Sequence, residues 1–284
     1  MSAEISDFAK RGPHGYPLRF AVRKAGLRGL KIFGDDYKQP IHYVRKHDNR
    51  DGHNRIVLHS VAHKADYDSE NTAMVSIHKR QSLGRRMAAA LTDLDNMIEN
   101  KHFEVAVRGQ RGQLQSIQMQ YVRPQLRNVY NSVKSGTSMA EIVGSVQPAF
   151  RFALGREQFE WRRALSTCAE VRAIRKRGSP PVRAGDPRPP AKAITTIAKG
   201  WVLVRVTGRR GNANALGFTD RGEEIVASFA RDRWGFRSKI YFHWWNSGAT
   251  GELGRDFAHV AAATGTAIWH DEILEEKKKQ RART

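Results

Sequence analysis

The chain has 284 residues with 49 Lys and Arg against 28 Asp and Glu, a formal net charge of +21 and a pI near 10.5. Forty percent hydrophobic and nine percent aromatic residues are enough for a real core and exclude wholesale disorder. The single cysteine, Cys168, excludes an intramolecular disulfide and a cysteine-based zinc finger.

The charge is uneven. Residues 172–210 hold eleven basic side chains against one acid, Asp186, so 11 − 1 = +10. Residues 212–276 hold six basic against ten acidic, so 6 − 10 = −4. A one-signed field of that density opposes compaction by self-repulsion and points to a polyanionic partner. The start of the chain, MSAEISDFAKRGPHGYPLRF, shows no apolar secretory segment, and no stretch reaches the roughly 18 apolar residues needed to span a bilayer. A protein without a membrane partner is expected, in the cytoplasm and associated with the nucleoid, or in a virion.

In chain order, residues 1–40 mix Gly, Pro and basic groups without a period. RIVLHSVA at 55–62 has the β-branched content of a buried strand. Leu83, Met87, Leu91, Leu94 and Ile98 share one face of a 3.6-residue period and predict a helix over 82–100. Phe103, Val105 and Val107 alternate, as do Ile117, Met119 and Tyr121, which predicts a β-hairpin whose tip carries Arg108 and Arg111. Pro124 opens a short helix ending near Gly136, and Ser138 with Glu141 has the spacing of a capping box for another that stops before Pro148. Trp161, Leu165, Cys168, Val171 and Ile174 predict a longer helix over 156–177.

GSPPVRAGDPRPP at 178–190 holds five prolines and no apolar period, and is the expected boundary. It divides an N-terminal region, 1–177, from a C-terminal module, 191–276, with a basic tail at 277–284. The module should hold a helix around 190–199, a strand WVLVRV at 201–206, a basic turn and a helix at about 219–232. The fold class expected from these elements is α+β, mostly helical with small antiparallel sheets.

Residues 191–225 carry the sharpest motif. Gly200, Trp201 and Val202 follow a short helix. A strand leads to the basic turn of Arg209, Arg210, Gly211, Asn212 and Asn214, and Thr219, Asp220, Arg221 and Gly222 form a helix start. This pattern resembles the second half of a winged-helix DNA-binding domain of the multiple-antibiotic-resistance-regulator type. The resemblance covers about 35 residues and implies a winged-helix-like C-terminal module. Gly and Asn suit a tight turn. Lys192, Thr195, Thr196 and Lys199 would lie against a duplex, with Arg205, Arg209, Arg210, Asn212 and Asn214 at the wing and Arg108 and Arg111 on the other hairpin as further phosphate contacts. A second, looser stretch, YFHWWNSGATGELGRDFAHVAAA at 241–263, resembles the closing segment of phage head–tail connector and tail-completion proteins, through Asn246, Gly248, Arg255 and Phe257. There the aromatic strand would pack a subunit interface.

His42, His47, His53, His59 and His63 with Asp48, Asp51, Asp66 and Asp68 fall in one short span, the residue types that bind divalent metal in nucleases. Strand spacing would set His59 and His63 about 13 Å apart at roughly 3.3 Å per residue, and no His-x-His motif occurs. No catalytic residue, metal or cofactor is expected. The leading expectation is a non-enzymatic protein that binds double-stranded DNA through a basic hairpin and adjacent helix. The rivals are a phage virion assembly protein, which as a ring would be a homo-oligomer, and a metal-dependent nuclease or strand-transfer enzyme. Charge alone does not separate RNA from DNA.

Overall fold

A computed structural model describes residues 15–25, 29–34, 40–48, 54–59, 71–79, 101–108, 114–122, 149–164, 168–173, 184–187, 200–231 and 239–282. Period-two alternation sets its architecture. Phe150 and Phe152, then Phe159 and Trp161, are buried, while Arg151, Ala153 and Gln158 between them are exposed. Each such segment is a strand with one apolar face. There are twelve among the described residues: β1 (Arg19–Ala25), β2 (Gly29–Phe33), β3 (Pro40–Asp48), β4 (Asn54–His59), β5 (Asn71–Lys79), β6 (Lys101–Arg108), β7 (Leu114–Val122), β8 (Ala149–Leu154), β9 (Glu157–Arg163), β10 (Gly200–Arg210), β11 (Glu223–Arg231) and β12 (Lys239–Trp244). Every strand pairs antiparallel with the next in the chain, and β12 returns to β1 with Arg19 opposite His243 and Arg23 opposite Lys239. The result is a closed up-and-down barrel with no free edge.

Twelve strands enclose more space than their own side chains fill. A helix occupies it. Three helices are described, α1 (Ala169–Ala173), α2 (Asn246–Thr250) and α3 (Gly254–Arg281). In α3 every residue from Phe257 to Trp269 is buried, so no face of that stretch meets water. A helix buried all round is surrounded by protein. On one side α3 runs beside β4, β5 and β6. On the other, Phe257 packs on Phe159 with ring centroids 4.8 Å apart, and Trp161 Nε1 donates to Thr264 Oγ1 at 2.9 Å. Ala258, Ala261, Ala262, Ala263 and Ala267 keep the helix thin. A Cβ on Gly265 would stand 2.9 Å from Phe242 Cε2 and 3.2 Å from Trp161 Cζ2. The Thr264 and Thr266 hydroxyls donate back to Val260 O and Ala262 O, each at 2.7 Å, so these polar groups enter the core satisfied.

A second, smaller core lies outside the barrel. Ala21, Val202, Val204, Ile225, Ala230 and Tyr241, with Trp245 just past β12, cluster with Ala169 and Val171 of α1 and with Leu216. This stretch of wall is therefore buried on both faces. On β7 to β9 most of the described outward positions are polar: Ser116, Gln118, Gln120, Arg151 and Gln158 are exposed. On β7 to β9 the described apolar face is the lumen, opposite to the pattern of a transmembrane barrel. No helix among the described residues is long and apolar enough to cross a membrane.

The expectation of a mostly helical α+β protein with small sheets is overturned by this barrel. The described residues within 156–177 form β9 and the short α1 in place of one long helix. The spacing of Trp161, Leu165, Cys168, Val171 and Ile174 imitates a helical stripe, but Phe159 and Trp161 alternate into the lumen while Cys168 packs on the outer core. The expected helix at 219–232 is strand β11. Its residues from Glu223 to Ala230 are all buried, because one face meets the lumen and the other the outer layer, and this erases the alternation that marks a strand. A winged-helix-like module at 191–276 is likewise replaced: β10 and β11 are staves between β9 and β12. The expected division at 178–190 falls between β9 and β10, which pair with each other, so strands from both sides share one barrel. The hairpin read at 103–121 is β6 and β7. The expected helices over 82–100, 124–136, 138–147 and 190–199 lie outside the described residues.

Candidate nucleic-acid interface

β10 changes character along its length. Gly200 to Val204 are buried in the wall, Arg205 and Val206 are half-buried, and from Thr207 to Arg210 the strand turns toward solvent. Its pairing with β11 shifts between Leu203 and Val204 and again between Arg205 and Arg210, so the last residues peel away from regular register. Its three arginines end in different surroundings.

Arg205 is enclosed. Its side chain is 12% exposed. Nε and Nη2 donate to both oxygens of Glu157 at 2.9 and 2.6 Å, and Nη1 lies 3.4 Å from Glu224 Oε2, 3.4 Å from Glu252 Oε1 and 3.5 Å from Ser247 Oγ. Thr207 Oγ1 also donates to Glu157, at 2.5 Å. These bonds, Arg205 first and Thr207 second, hold the Glu157 carboxyl down at about 2. The Glu157 bonds in turn raise Arg205 further above its already high value. A bidentate pair supplemented by further carboxylates is the strong form of this interaction.

A second ladder crosses the outer face of β8 to β11. Arg151 donates to Glu160 at 2.9 and 2.5 Å, and Arg162 Nε donates to the same carboxylate at 2.8 Å. Both Arg162 Nη groups donate to Glu223, Nη2 at 3.1 Å. Burial alone would raise the Glu160 and Glu223 carboxyls, but their arginine partners outweigh it and hold both below the usual carboxylate range.

Arg209 and Arg210 are displayed. Their side chains are 79% and 63% exposed. Arg209 Nη2 lies 3.5 Å from each oxygen of Glu252, and Arg210 Nη1 lies 3.8 Å from Glu223 and 3.4 Å from Arg221 O. Contacts this long on exposed groups contribute little.

The loop that follows, 211–222, is pinned. Gly211 N–H donates to Gly222 O at 2.8 Å, and Asn212 Oδ1 accepts the Asn214 N–H at 2.9 Å. Thr219 Oγ1 accepts N–H groups of Arg221 and Glu223 at 3.3 and 3.0 Å. The Thr-Asp-x-Gly sequence therefore makes a turn into a strand, not a helix cap. Gly217, at φ +86°, donates to Glu170 Oε1 at 3.1 Å and accepts from Asn246 Nδ2 at 2.6 Å. A side chain there would be strained and would meet Asn246. Residues 184–187 rest on the same loop: Gly185 N–H donates to Leu216 O at 2.9 Å and Leu216 N–H to Asp186 O at 2.8 Å.

Of the residues expected at the interface, Arg209, Arg210, Asn212 and Asn214 stand together at one tip, while Arg205 is withdrawn into carboxylates. Arg108 ends β6 opposite Leu114, with its side chain outside the described residues. Arg111, Lys192, Thr195, Thr196 and Lys199 also lie outside them. Glu157, Glu160, Arg162, Glu223, Glu224 and Glu252 were not expected in any role. Of the His/Asp cluster, His42 is buried, with its ring 4.8 Å from that of Tyr16. His59 pairs with Tyr43, and His53, His63, Asp51, Asp66 and Asp68 lie outside the described residues. Among the described residues no group of three His, Cys, Asp or Glu can hold a metal ion. The aromatics of 241–245 are buried within the chain itself, where Phe242 stacks on Phe20 at 4.6 Å and Trp245 Nε1 donates to Ser228 at 2.7 Å.

One further polar group marks the mouth of the barrel. Arg255 Nε donates to His259 Nε2 at 3.2 Å, and His259 Nδ1 is 3.0 Å from Tyr16 Oη. A guanidinium only donates, so Nε2 is the acceptor and Nδ1 carries the hydrogen toward the phenol oxygen. Burial pushes the Tyr16 phenol well up, and Arg255 offsets this only in part. The three side chains lock the start of α3 to the approach to β1. Compared with known proteins, the chain matches no family model, no curated protein and no solved structure.

Proposed function

We propose that the protein binds nucleic acid without acting on it as an enzyme, with double-stranded DNA the favoured partner and the tip formed by Arg209, Arg210 and loop 211–222 as its contact surface. The observation that carries this is a convergence. The two displayed arginines sit beside a loop on which residues 184–187 rest. Arg183 and Arg188 are the chain neighbours of that segment and belong to a run, 172–199, with eight basic residues and one acid, 8 − 1 = +7. Lys192 and Lys199 belong to the same run. Meanwhile Glu157, Glu160 and Glu223 are engaged by Arg205, Arg151 and Arg162. Those carboxylates are committed to holding the wall together, which leaves the excess cation to be met by phosphate.

The test is a titration of the full chain with duplex DNA, single-stranded DNA and RNA across a salt series. Arg209→Ala with Arg210→Ala should weaken binding and lower the slope of log K against log salt by about one to two. An unchanged slope removes these residues from the interface. Tighter binding to RNA than to either DNA form would replace the favoured partner.

A further inference from the structure

We infer that Glu252 is a built-in competitor at this surface, a carboxylate held against Arg209 that a phosphate must displace. This rests on the nucleic-acid reading above. Glu252 lies in the turn between α2 and α3, just past Gly251, which caps α2 at φ +82°. It is 42% exposed. Three carboxylates approach Arg205, and Glu252 differs from the other two. Glu157 holds Arg205 by two short bonds, and Glu224 also accepts the Ser247 N–H at 3.0 Å. Each Glu252 side-chain contact is long: 3.4 Å to Arg205 and 3.5 Å from each oxygen to Arg209 Nη2. Arg205 is thus satisfied without it.

What Glu252 adds is a negative charge beside Arg209, the more exposed of the two displayed arginines, in the place an incoming phosphate oxygen would take. Glu223 cannot play that part for Arg210, because Arg162 and Thr219 already hold it. The arrangement makes affinity depend on the density of negative charge in the ligand. An isolated anion gains little by displacing Glu252, whereas a polymer that also engages Arg210 and the neighbouring basic run displaces it with many contacts at once.

Glu252→Gln keeps the shape and removes the charge. In the full chain it should tighten binding of a short duplex oligonucleotide by about two- to five-fold at moderate salt, the range for loss of one exposed ion pair. In an Arg209→Ala background the same substitution should give no gain. Glu252→Ala is a second variant should the glutamine chain fail to fold. Equal affinities for wild type and Glu252→Gln would overturn the inference while leaving the interface standing. So would an undiminished gain in the Arg209→Ala background, which would mark a long-range charge effect. Absence of binding by wild type and every variant to duplex DNA, single-stranded DNA and RNA would overturn the nucleic-acid reading itself, and the role of Glu252 with it.

Discussion

Replacing Arg205 with Ala separates arginines that build the wall from arginines offered to a ligand. The substitution leaves Glu157 and Glu224 facing each other without their shared cation. Breaking a fully buried pair by removing one partner costs about 3–5 kcal/mol. Glu224 is 5% exposed and keeps only the Ser247 N–H among the bonds described above, so its share of that cost stands. Glu157 is 33% exposed, so water recovers part of its share. A net loss of about 2–4 kcal/mol follows, which in a chain of this size lowers Tm by roughly 3–7 °C. Thermal and urea unfolding followed by circular dichroism read it directly. The pH dependence carries a second signature. In the wild type the Glu157 carboxyl is held at about 2, below its ordinary 4.5, so its contribution is complete above pH 4.5 and is lost as pH falls through 2. The gap between wild type and Arg205→Ala should therefore close over that interval. Loss of less than about 0.5 kcal/mol, the scale of an ordinary surface change, would refute the enclosed role. So would a loss of nucleic-acid affinity in a variant as stable as wild type.

Three other outcomes follow from the core. His243 is buried with its Nδ1 unpartnered, and burial, with Arg19 second, holds its imidazole at about 3 against an ordinary 6.5. The unfolded chain then takes up a proton that the folded chain refuses. Stability should fall as pH drops below 6.5, by about 2 kcal/mol near pH 5, and His243→Leu should flatten that slope in urea titrations; identical slopes would exclude it as the source. Gly265→Ala improves helix propensity by about 1 kcal/mol, yet its methyl presses on Phe242 inside a filled barrel, so a net destabilisation of about 1–2 kcal/mol is expected; a rise in Tm would show that the lumen has slack. Thr264→Val strands the Trp161 N–H, at a cost of about 1–3 kcal/mol, and adding Trp161→Phe should recover part of it, a coupling that a double-mutant cycle measures.

β6, β7 and the start of β10 were legible as strands in the sequence, and β9 and β11 were not. β6 and β7 announce themselves because Val105, Ile117 and Met119 alternate with groups that meet water. β11 carries the same backbone but covers an outer layer as well as the lumen, so Glu223 to Ala230 show no period, and the Thr-Asp-x-Gly turn before it imitates a helix cap. α3 carries no apolar stripe for the related reason that Phe257 to Trp269 are buried on every side. At the surface, Arg209 and Arg210 could be picked out from their Gly-flanked turn. The enclosure of Arg205 could not, because Glu157 and Glu224 are 48 and 19 residues away along the chain and meet it only when β9, β10 and β11 lie side by side.

The filling of the barrel follows all twelve of its staves in the chain. A ribosome therefore delivers the wall before the rod that keeps it dry. Until α3 emerges, Phe20, Trp161, Phe229, Phe242 and Trp244 lack the helix that completes their core, and at about 5–20 residues per second that interval lasts seconds. Nascent protein arrested in that window should be sticky, and release of the last segment should be the event that renders it compact.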